Sequence, residues 1–166
     1  MNHVLLIGFM GSGKSTVGGI LADRLDLRFL DLDAAIALRA GMTVPEIFAD
    51  RGEPGFRAFE IEELSALESA PRAVVACGGG VVVDDRCRAL LGELGTVVYL
   101  RVGADEALGR IGPVAGRPLL AGGDPLALGR ALLVSREPLY EAAADITVDT
   151  AGLAPGKVAD VVAESL

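Results

Sequence analysis

The chain opens with a strand-like segment, a glycine-rich loop and a helix-like segment in direct succession. The loop, residues 8–15, reads Gly-Phe-Met-Gly-Ser-Gly-Lys-Ser and matches the pattern G-x-x-x-x-G-K-[ST]. The preceding run, residues 3–7, is apolar, and the apolar residues after the loop recur with helical spacing. Glycines in such a loop let backbone N–H groups converge on an anion at the helix N-terminus. The pattern predicts a phosphate-binding loop, and a glycine turn with a surface lysine is the weaker alternative.

Two side chains of this loop have specific expected roles. Lys14 is expected to reach the β and γ phosphates of a nucleotide, and the Ser15 hydroxyl is expected to bind Mg²⁺. The residues expected to hold ATP here are Gly11, Ser12, Gly13, Lys14, Ser15 and Thr16.

The bulk properties exclude several classes of protein. A length of 166 residues fits one domain, and a net charge of −8 disfavours nucleic acid as the main partner. The start of the chain does not resemble a signal peptide and no apolar run could span a bilayer, which predicts a cytoplasmic protein without a membrane partner. Cys77 and Cys87 are expected to be reduced structural thiols, and His3, within a strand, argues against a Ser-His-Asp triad.

Strand-like and helix-like segments alternate along the chain, which predicts an α/β fold with a parallel sheet and ligands at the carboxyl ends of its strands. No linker or repeat interrupts residues 1–166, which predicts a single domain. The predicted strands are residues 3–8, 28–32, 73–77, 96–101 and 145–149. The predicted helices are one opening at residue 14 and residues 33–40, 44–50, 56–69, 84–94, 104–111, 125–142 and 155–165.

Two acidic residues end the second predicted strand. Asp31 and Asp33 are two positions apart, so on a strand they share one face and point toward the mouth of the sheet. One carboxylate could bind Mg²⁺, and the other could accept a proton from an attacking hydroxyl or orient it. The alternative for Asp33 is a helix N-cap.

A candidate anion anchor is indicated farther along the chain. Arg57 and Glu60 are three residues apart and face each other on a helix, so the carboxylate could hold the arginine ready for a substrate carboxylate. Phe48 and Phe56 flank this stretch and could wall a small organic pocket. Surface ion pairing and ordinary core packing are the respective alternatives.

Three successive glycines and a second arginine are further candidate binding residues. Gly78, Gly79 and Gly80 follow the third strand, and three successive glycines indicate a close approach to the backbone by a ring or a phosphate. Arg136 lies near the end of a long helix, where it could be a second anion clamp or only complement the helix dipole.

Residues 112–123 hold four glycines, two prolines and one arginine, Arg117, before the next acidic residue. This composition predicts a mobile flap whose arginine closes over phosphates, with an ordinary surface loop as the alternative. The chain has no glutamine and one asparagine, Asn2, so it lacks the residues with which small GTPases read guanine and orient water.

Taken in order, these motifs resemble the shikimate kinase family over nearly the whole chain. The motifs are the phosphate loop, Asp31-Leu-Asp33, Gly52-Glu53-x-x-Phe56-Arg57-x-x-Glu60, Gly78-Gly79-Gly80, Arg117-Pro118-Leu119-Leu120 and Arg136-x-Pro138-Leu139-Tyr140. The resemblance implies a three-layer α/β/α fold of the nucleoside-monophosphate-kinase type. Its sheet would have five parallel strands in the order 2-3-1-4-5, with a shikimate-binding region at about residues 33–60 and a lid at about residues 111–123.

The resemblance also implies the reaction and the roles of residues. ATP would phosphorylate the 3-hydroxyl of shikimate, in the route to chorismate and the aromatic amino acids, with Mg²⁺ held by Ser15 and Asp31. The catalytic residues would be Lys14, Asp33 and Arg117. The remaining implied nucleotide contacts are Arg110, Arg117 and Pro155, and the implied shikimate contacts are Asp33, Phe48, Phe56, Arg57, Glu60, Gly78, Gly79, Gly80 and Arg136.

The sequence departs from the family pattern at two places, and two other functions remain as alternatives. The lid sequence is nearly uncharged before Arg117, and Gly19 stands where relatives often carry arginine. The rivals are another small-molecule kinase of the same fold, such as a gluconate or nucleoside monophosphate kinase, and a nucleotide-binding regulator without catalysis. A monomer is expected.

Overall fold

The computed structural model describes residues 2–111, 120 and 122–166. In this part of the chain five parallel strands form one sheet, in the order β2-β3-β1-β4-β5, which confirms the predicted topology. The strands are β1 (His3–Ile7), β2 (Arg28–Asp31), β3 (Ala73–Ala76), β4 (Gly95–Arg101) and β5 (Ile146–Asp149).

Helices connect the strands and cover the sheet. Within the described residues they are α1 (Lys14–Leu25), α2 (Leu32–Ala40), α3 (Val44–Leu67), α4 (Asp85–Leu94), α5 (Ala104–Ile111), α6 (Pro125–Ala143) and α7 (Pro155–Ser165).

The predicted elements agree with these bounds to within two residues except in the third helical region. Two helices are predicted at residues 44–50 and 56–69, whereas α3 runs through both positions. Gly52 lies between them with φ 67° and ψ −177°, a conformation outside the helical region that kinks the element. The two helices are therefore separated by a one-residue kink, not by a loop.

Two apolar cores lie on opposite faces of the sheet, because successive strand side chains alternate in direction. Leu5 and Ile7 of β1 belong to the core shared with α3, α4 and α6, while Val4 and Leu6 belong to the core shared with α1 and α7. This arrangement confirms the predicted three-layer architecture.

The single histidine has a structural role. His3 Nδ1 accepts a hydrogen bond from the Ala73 N–H at 3.2 Å, so Nε2 carries the ring proton and donates to Leu67 O at 3.0 Å. His3 is fully buried. It joins β1 to the ends of α3 and β3, away from the carboxyl ends of the strands.

Both cysteines are buried, and neither forms a disulfide. Burial raises the pKa of the Cys87 thiol to about 12, so the thiol stays protonated and unreactive.

None of the helices in the described ranges has the length and apolar character that a bilayer crossing requires.

Candidate active site

A cavity of about 700 Å³ opens where the phosphate loop meets the carboxyl ends of β2 and β3. This is where a parallel sheet is expected to bind its ligands. Among the described residues, every one that was predicted to bind ATP lines this cavity. Asp31 and Asp33 line it as well. The lining residues are Met10, Gly11, Ser12, Gly13, Lys14, Ser15, Thr16, Val17, Asp31, Asp33, Ala76, Cys77, Gly79, Arg110, Ile111, Thr150, Leu153, Pro155 and Val158.

The phosphate loop is wound around the side chain of its own lysine. Lys14 Nζ donates to the carbonyl oxygens of Gly8 and Phe9, each at 2.9 Å. Gly11 has φ 76°, and a Cβ at this position would lie 2.2 Å from Ala107 O. Only glycine fits there, because the loop backbone packs directly against α5. The loop is thus a preorganised, positively charged cradle.

Asp31 links the loop to the second strand. Ser15 Oγ donates to Asp31 Oδ2 at 2.6 Å, and Asp31 Oδ1 accepts from the Ala34 N–H at 3.2 Å as the N-cap of α2. The capping role considered for Asp33 therefore falls on Asp31. Because β2 ends at Asp31, Asp33 lies in the first turn of α2, and the strand alternation used to place both side chains together does not apply. Both nevertheless line the cavity.

The far end of the cavity is formed around Arg110. Its guanidinium donates to Thr150 O at 3.0 Å and to Glu106 Oε1 at 2.6 Å. Glu106 Oε1 also accepts from the Gly152 N–H at 3.1 Å, so α5 is joined to the loop before α7. Pro155 lines the same end. An arginine plane and a proline ring are suitable surfaces for a nucleotide base.

Arg57 is buried between two carboxylates. Its side chain donates to Glu60 and, through Nη2 at 2.9 Å, to Glu53. Arg57 is 7% exposed and Glu60 is 0% exposed, which rules out the surface ion pair considered from sequence. Glu53 precedes Arg57 by one helical turn, a spacing visible in the sequence but not assigned a role.

Burial and charge shift the pKa values of this pair. Burial raises the pKa of Glu60 to about 7; Arg57 opposes the shift and Asp33 adds to it. Burial also disfavours the charged form of Arg57, but Glu60 and Glu53 more than offset this effect and hold its pKa above the ordinary value. Within the described residues Glu60 Oε1 and Arg57 Nε are buried without a hydrogen-bond partner. The ion pair therefore leaves one polar atom of each side chain unsatisfied in the interior of the described part of the chain.

The raised pKa of Glu60 makes stability depend on pH. The folded protein holds this proton more tightly than the unfolded chain does, whose pKa is about 4.5. The stabilisation is therefore complete below about pH 4.5 and is lost as the pH rises through about 7. We expect Glu60 to lower the free energy of unfolding by up to roughly 3 kcal/mol between pH 5 and pH 8.

Urea denaturation across this pH range measures the effect. Glu60→Gln is expected to remove this slope, whereas Glu62→Gln, a control on the exposed face of α3, is expected to retain it. Identical slopes for wild type and Glu60→Gln would contradict the shift.

Two of the three successive glycines leave room for side chains from other parts of the protein. A Cβ on Gly78 would lie 2.7 Å from Asp33 Oδ1 and 2.9 Å from Glu60 Oε1, and a Cβ on Gly80 would lie 2.1 Å from Arg57 Nη2. The close approach inferred from sequence therefore includes the carboxylates and the guanidinium of the site itself. The turn brings together residues from α2 and α3.

Gly80→Ala is expected to push Arg57 out of place, because the new methyl group would overlap its guanidinium. We expect the Michaelis constant for the carboxylated substrate predicted from the sequence to rise by at least about fivefold. Gly92→Ala is the matched control, since a Cβ there meets nothing within 4 Å on α4. That variant should keep wild-type kinetics and gain about 0.5–1 kcal/mol of stability. Steady-state kinetics and thermal denaturation distinguish the two.

Arg136 reaches the same turn from α6. Its Nη1 donates to Gly79 O at 3.1 Å, and the side chain is 5% exposed. Arg57 and Arg136 therefore both contact the turn formed by residues 78–80, although they come from different helices. We call them the guanidinium pair. Tyr140, which donates to the same carbonyl, was not assigned a role from sequence.

The two phenylalanines lie side by side. The rings of Phe48 and Phe56 have centroids 4.8 Å apart, and Phe56 is 4% exposed within the core. The Arg57 guanidinium lies 5.5 Å from the Phe56 ring centroid. Phe56 thus supports Arg57, and direct contact of either ring with a substrate stays a prediction.

Sequence reasoning did not single out several residues that line the cavity, among them Met10, Thr150 and Leu153. No motif spacing marks Thr150, because its place depends on pairing of β5 with β4. Arg117 and most of the predicted lid, residues 112–119 and 121, lie outside the described residues.

A phosphate loop after the first strand, a Ser–Asp pair beside it, and a recess with buried arginines define a P-loop phosphotransferase that acts on a small molecule. The model of the shikimate kinase family matches residues 10–166. The chain therefore belongs to the shikimate kinase family, which confirms the resemblance seen in the sequence.

Relatives support this assignment over the whole chain. A shikimate kinase of Halorhodospira halophila is 44% identical and aligns with 99% of this chain and 93% of its own length. A shikimate kinase of Pseudomonas entomophila is 46% identical over 90% of this chain and 87% of its own.

Solved structures agree. A shikimate kinase from Acinetobacter baumannii, in complex with shikimate, superimposes with a TM-score of 0.95 at 38% identity, covering 99% of this chain and 92% of that one. A gluconokinase from Sinorhizobium meliloti, covering 99% of this chain and 89% of that one, reaches a TM-score of 0.58 at 22% identity and shares the fold alone.

Proposed function

We propose that this protein transfers the γ-phosphoryl group of ATP to the 3-hydroxyl of shikimate, giving ADP and shikimate 3-phosphate. The observation that carries the proposal is the position of the guanidinium pair. Arg57 and Arg136 are buried against a glycine turn whose middle residue, Gly79, lines the same cavity as the phosphate loop. A carboxylate gripped by these arginines would place the rest of a small molecule beside the terminal phosphate of ATP.

The nucleotide is proposed to lie along the phosphate loop. Backbone N–H groups of residues 11–16 would bind the phosphates at the N-terminus of α1, and the base would lie between Arg110 and Pro155. Lys14 would exchange its contacts with the Gly8 and Phe9 carbonyls for contacts with phosphate oxygens. Charge developing on the transferring group would be stabilised there.

The Ser15 hydroxyl and the Asp31 carboxylate fit a magnesium ion. Their oxygens are 2.6 Å apart, and Mg²⁺ is commonly bound by one or two protein oxygens together with phosphates and waters. No group of three or more His, Cys, Asp or Glu side chains that could hold a metal ion is found among the described residues. When bound, the ion would neutralise phosphate charge and orient the γ-phosphoryl group.

The acid substrate is proposed to bind across the glycine turn. Its carboxylate would accept hydrogen bonds from the guanidinium pair, with Glu60 and Glu53 holding Arg57 in orientation. Low exposure strengthens these charge-assisted bonds, because little water competes for the same donors. Specificity for a carboxylated polyol would follow from this clamp.

Asp33 would contact the reacting hydroxyl. Its carboxylate lies beside Gly78 and Glu60 at the edge of the cavity, where it could orient the hydroxyl or accept its proton. Phosphoryl transfer depends mainly on positioning and charge stabilisation, so a strong base is not required. Arg117 is proposed to add a further positive charge over the phosphates, and a monomer in the cytoplasm remains the expectation.

An ADP-release assay with a panel of acceptors tests the proposal. We expect turnover with shikimate and little with gluconate or nucleoside monophosphates, and we expect loss of turnover when Mg²⁺ is chelated with EDTA and recovery when it is restored. Equal turnover with gluconate would indicate a different small-molecule kinase. ATP binding without turnover on any acceptor would indicate a regulator.

A further inference from the structure

The carbonyl oxygen of Gly79 accepts hydrogen bonds from two side chains of α6. Arg136 Nη1 donates at 3.1 Å, and the Tyr140 hydroxyl is the second donor. The two residues are four positions apart, so they lie on one face of the helix. Tyr140 is fully buried. A single peptide group therefore fixes a member of the guanidinium pair and a tyrosine together.

The Tyr140 side chain has little freedom to leave this position. Its ring stacks on that of Tyr99 in β4, with centroids 5.0 Å apart and an angle of 21° between the ring planes. Burial raises the pKa of Tyr140 to about 12, which keeps the phenol protonated as a donor at physiological pH. Stacking on a residue of the sheet therefore fixes the orientation of the Tyr140 ring, and the ring fixes the position of its hydroxyl.

Gly79 also lies close to the phosphate loop. A Cβ on Gly79 would lie 3.4 Å from Met10 N and 3.6 Å from Gly8 O. The peptide that Tyr140 holds therefore lies between the phosphate loop and Arg136. A shift of this peptide would alter the spacing between the two substrate-binding regions.

We infer that Tyr140 is a positioning residue for the acid substrate, acting through Gly79 and Arg136. This inference rests on the proposed function. The Tyr140 hydroxyl fixes the Gly79 carbonyl, and the carbonyl in turn keeps the Arg136 guanidinium facing the glycine turn. Because the C=O and N–H of a trans peptide point in opposite directions, the same anchor also sets the direction of the Gly80 N–H. Tyr140 itself need not touch the substrate.

Tyr140→Phe tests the inference, with Tyr99→Phe as its matched control. Each change removes one phenolic oxygen from the same stacked pair, but the Tyr99 hydroxyl has no hydrogen-bond partner within the described residues. For Tyr140→Phe we expect the Michaelis constant for shikimate to rise about five- to twentyfold, with kcat and the Michaelis constant for ATP within about threefold of wild type. Tyr99→Phe is expected to match wild type in all three.

A double-mutant cycle separates positioning from general structure. In an Arg136→Met background, Tyr140→Phe is expected to add less than about twofold to the Michaelis constant for shikimate, because the group it positions is gone. Shikimate-induced thermal shifts measure binding independently of turnover, and should be reduced for Tyr140→Phe alone of the two tyrosine variants.

Three results would overturn the inference. The first is an equal Michaelis constant for shikimate in the two tyrosine variants, and the second is an equal rise in the Michaelis constants for shikimate and for ATP in Tyr140→Phe. The third is an undiminished effect of Tyr140→Phe on the Michaelis constant for shikimate in the Arg136→Met background. Absence of turnover by the wild-type protein with shikimate would instead refute the proposed function. The two failures are therefore distinguishable.

Discussion

Replacement of Lys14 with methionine is expected to lower turnover by roughly 10²- to 10⁴-fold with any acceptor. Methionine retains the length of the side chain but removes the charge that would follow the transferring phosphoryl group. In the structure the same ammonium group binds the Gly8 and Phe9 carbonyls, so its loss is also expected to relax the loop. The ADP-release assay measures turnover, and thermal denaturation shows whether the variant remains folded.

The control for this experiment is Lys157→Met, since Lys157 is the second of two lysines in the chain and is exposed on α7. We expect that variant to retain wild-type turnover. A Lys14→Met variant with turnover within about threefold of wild type would refute the role assigned to the phosphate loop.

Replacement of Arg57 with methionine is expected to have two separable effects. Loss of the charge-assisted bonds should raise the Michaelis constant for shikimate by roughly 30- to 1000-fold, equivalent to about 2–4 kcal/mol, with little change for ATP. The fully buried Glu60 would also lose its cationic partner, which is expected to destabilise the protein by about 3–5 kcal/mol.

A second variant distinguishes the two effects. Arg57→Met combined with Glu60→Gln removes the uncompensated carboxylate, so it should recover much of the stability in urea denaturation without recovering affinity for shikimate. Arg51→Met is the surface control, because that arginine lies on the same helix and is about half exposed. Recovery of shikimate affinity in the double variant would show that Arg57 acts on folding and not on the substrate.

The phosphate loop and the order of elements were predictable because they depend on local sequence. Glycine spacing determines which backbone conformations the loop can adopt, and apolar periodicity separates strand from helix. The kink at Gly52 was less predictable, since one residue with positive φ interrupts a helical pattern without the length of a loop. The reasoning for Asp33 was wrong in its geometry, because helix α2 begins one residue after Asp31.

The acid-binding region shows where sequence reasoning reaches its limit. The i, i+3 spacing of Arg57 and Glu60 predicts that they can meet, but spacing does not tell whether a pair is buried or exposed. Burial depends on packing of α3 against the turn that carries Gly78 and Gly80. The raised pKa of Glu60 is likewise a property of that environment.

By itself the amino-acid sequence determined the phosphate loop, the parallel α/β architecture and the family, because each rests on short-range spacing or on motifs in a set order. The tertiary structure decided which charged groups share one desolvated recess. Arg57, Glu60, Gly79, Arg136 and Tyr140 come from three separate segments of the chain, and their contacts form when two helices close on one turn. The electrostatic strength of the site is set by that exclusion of water, a property of the assembled fold.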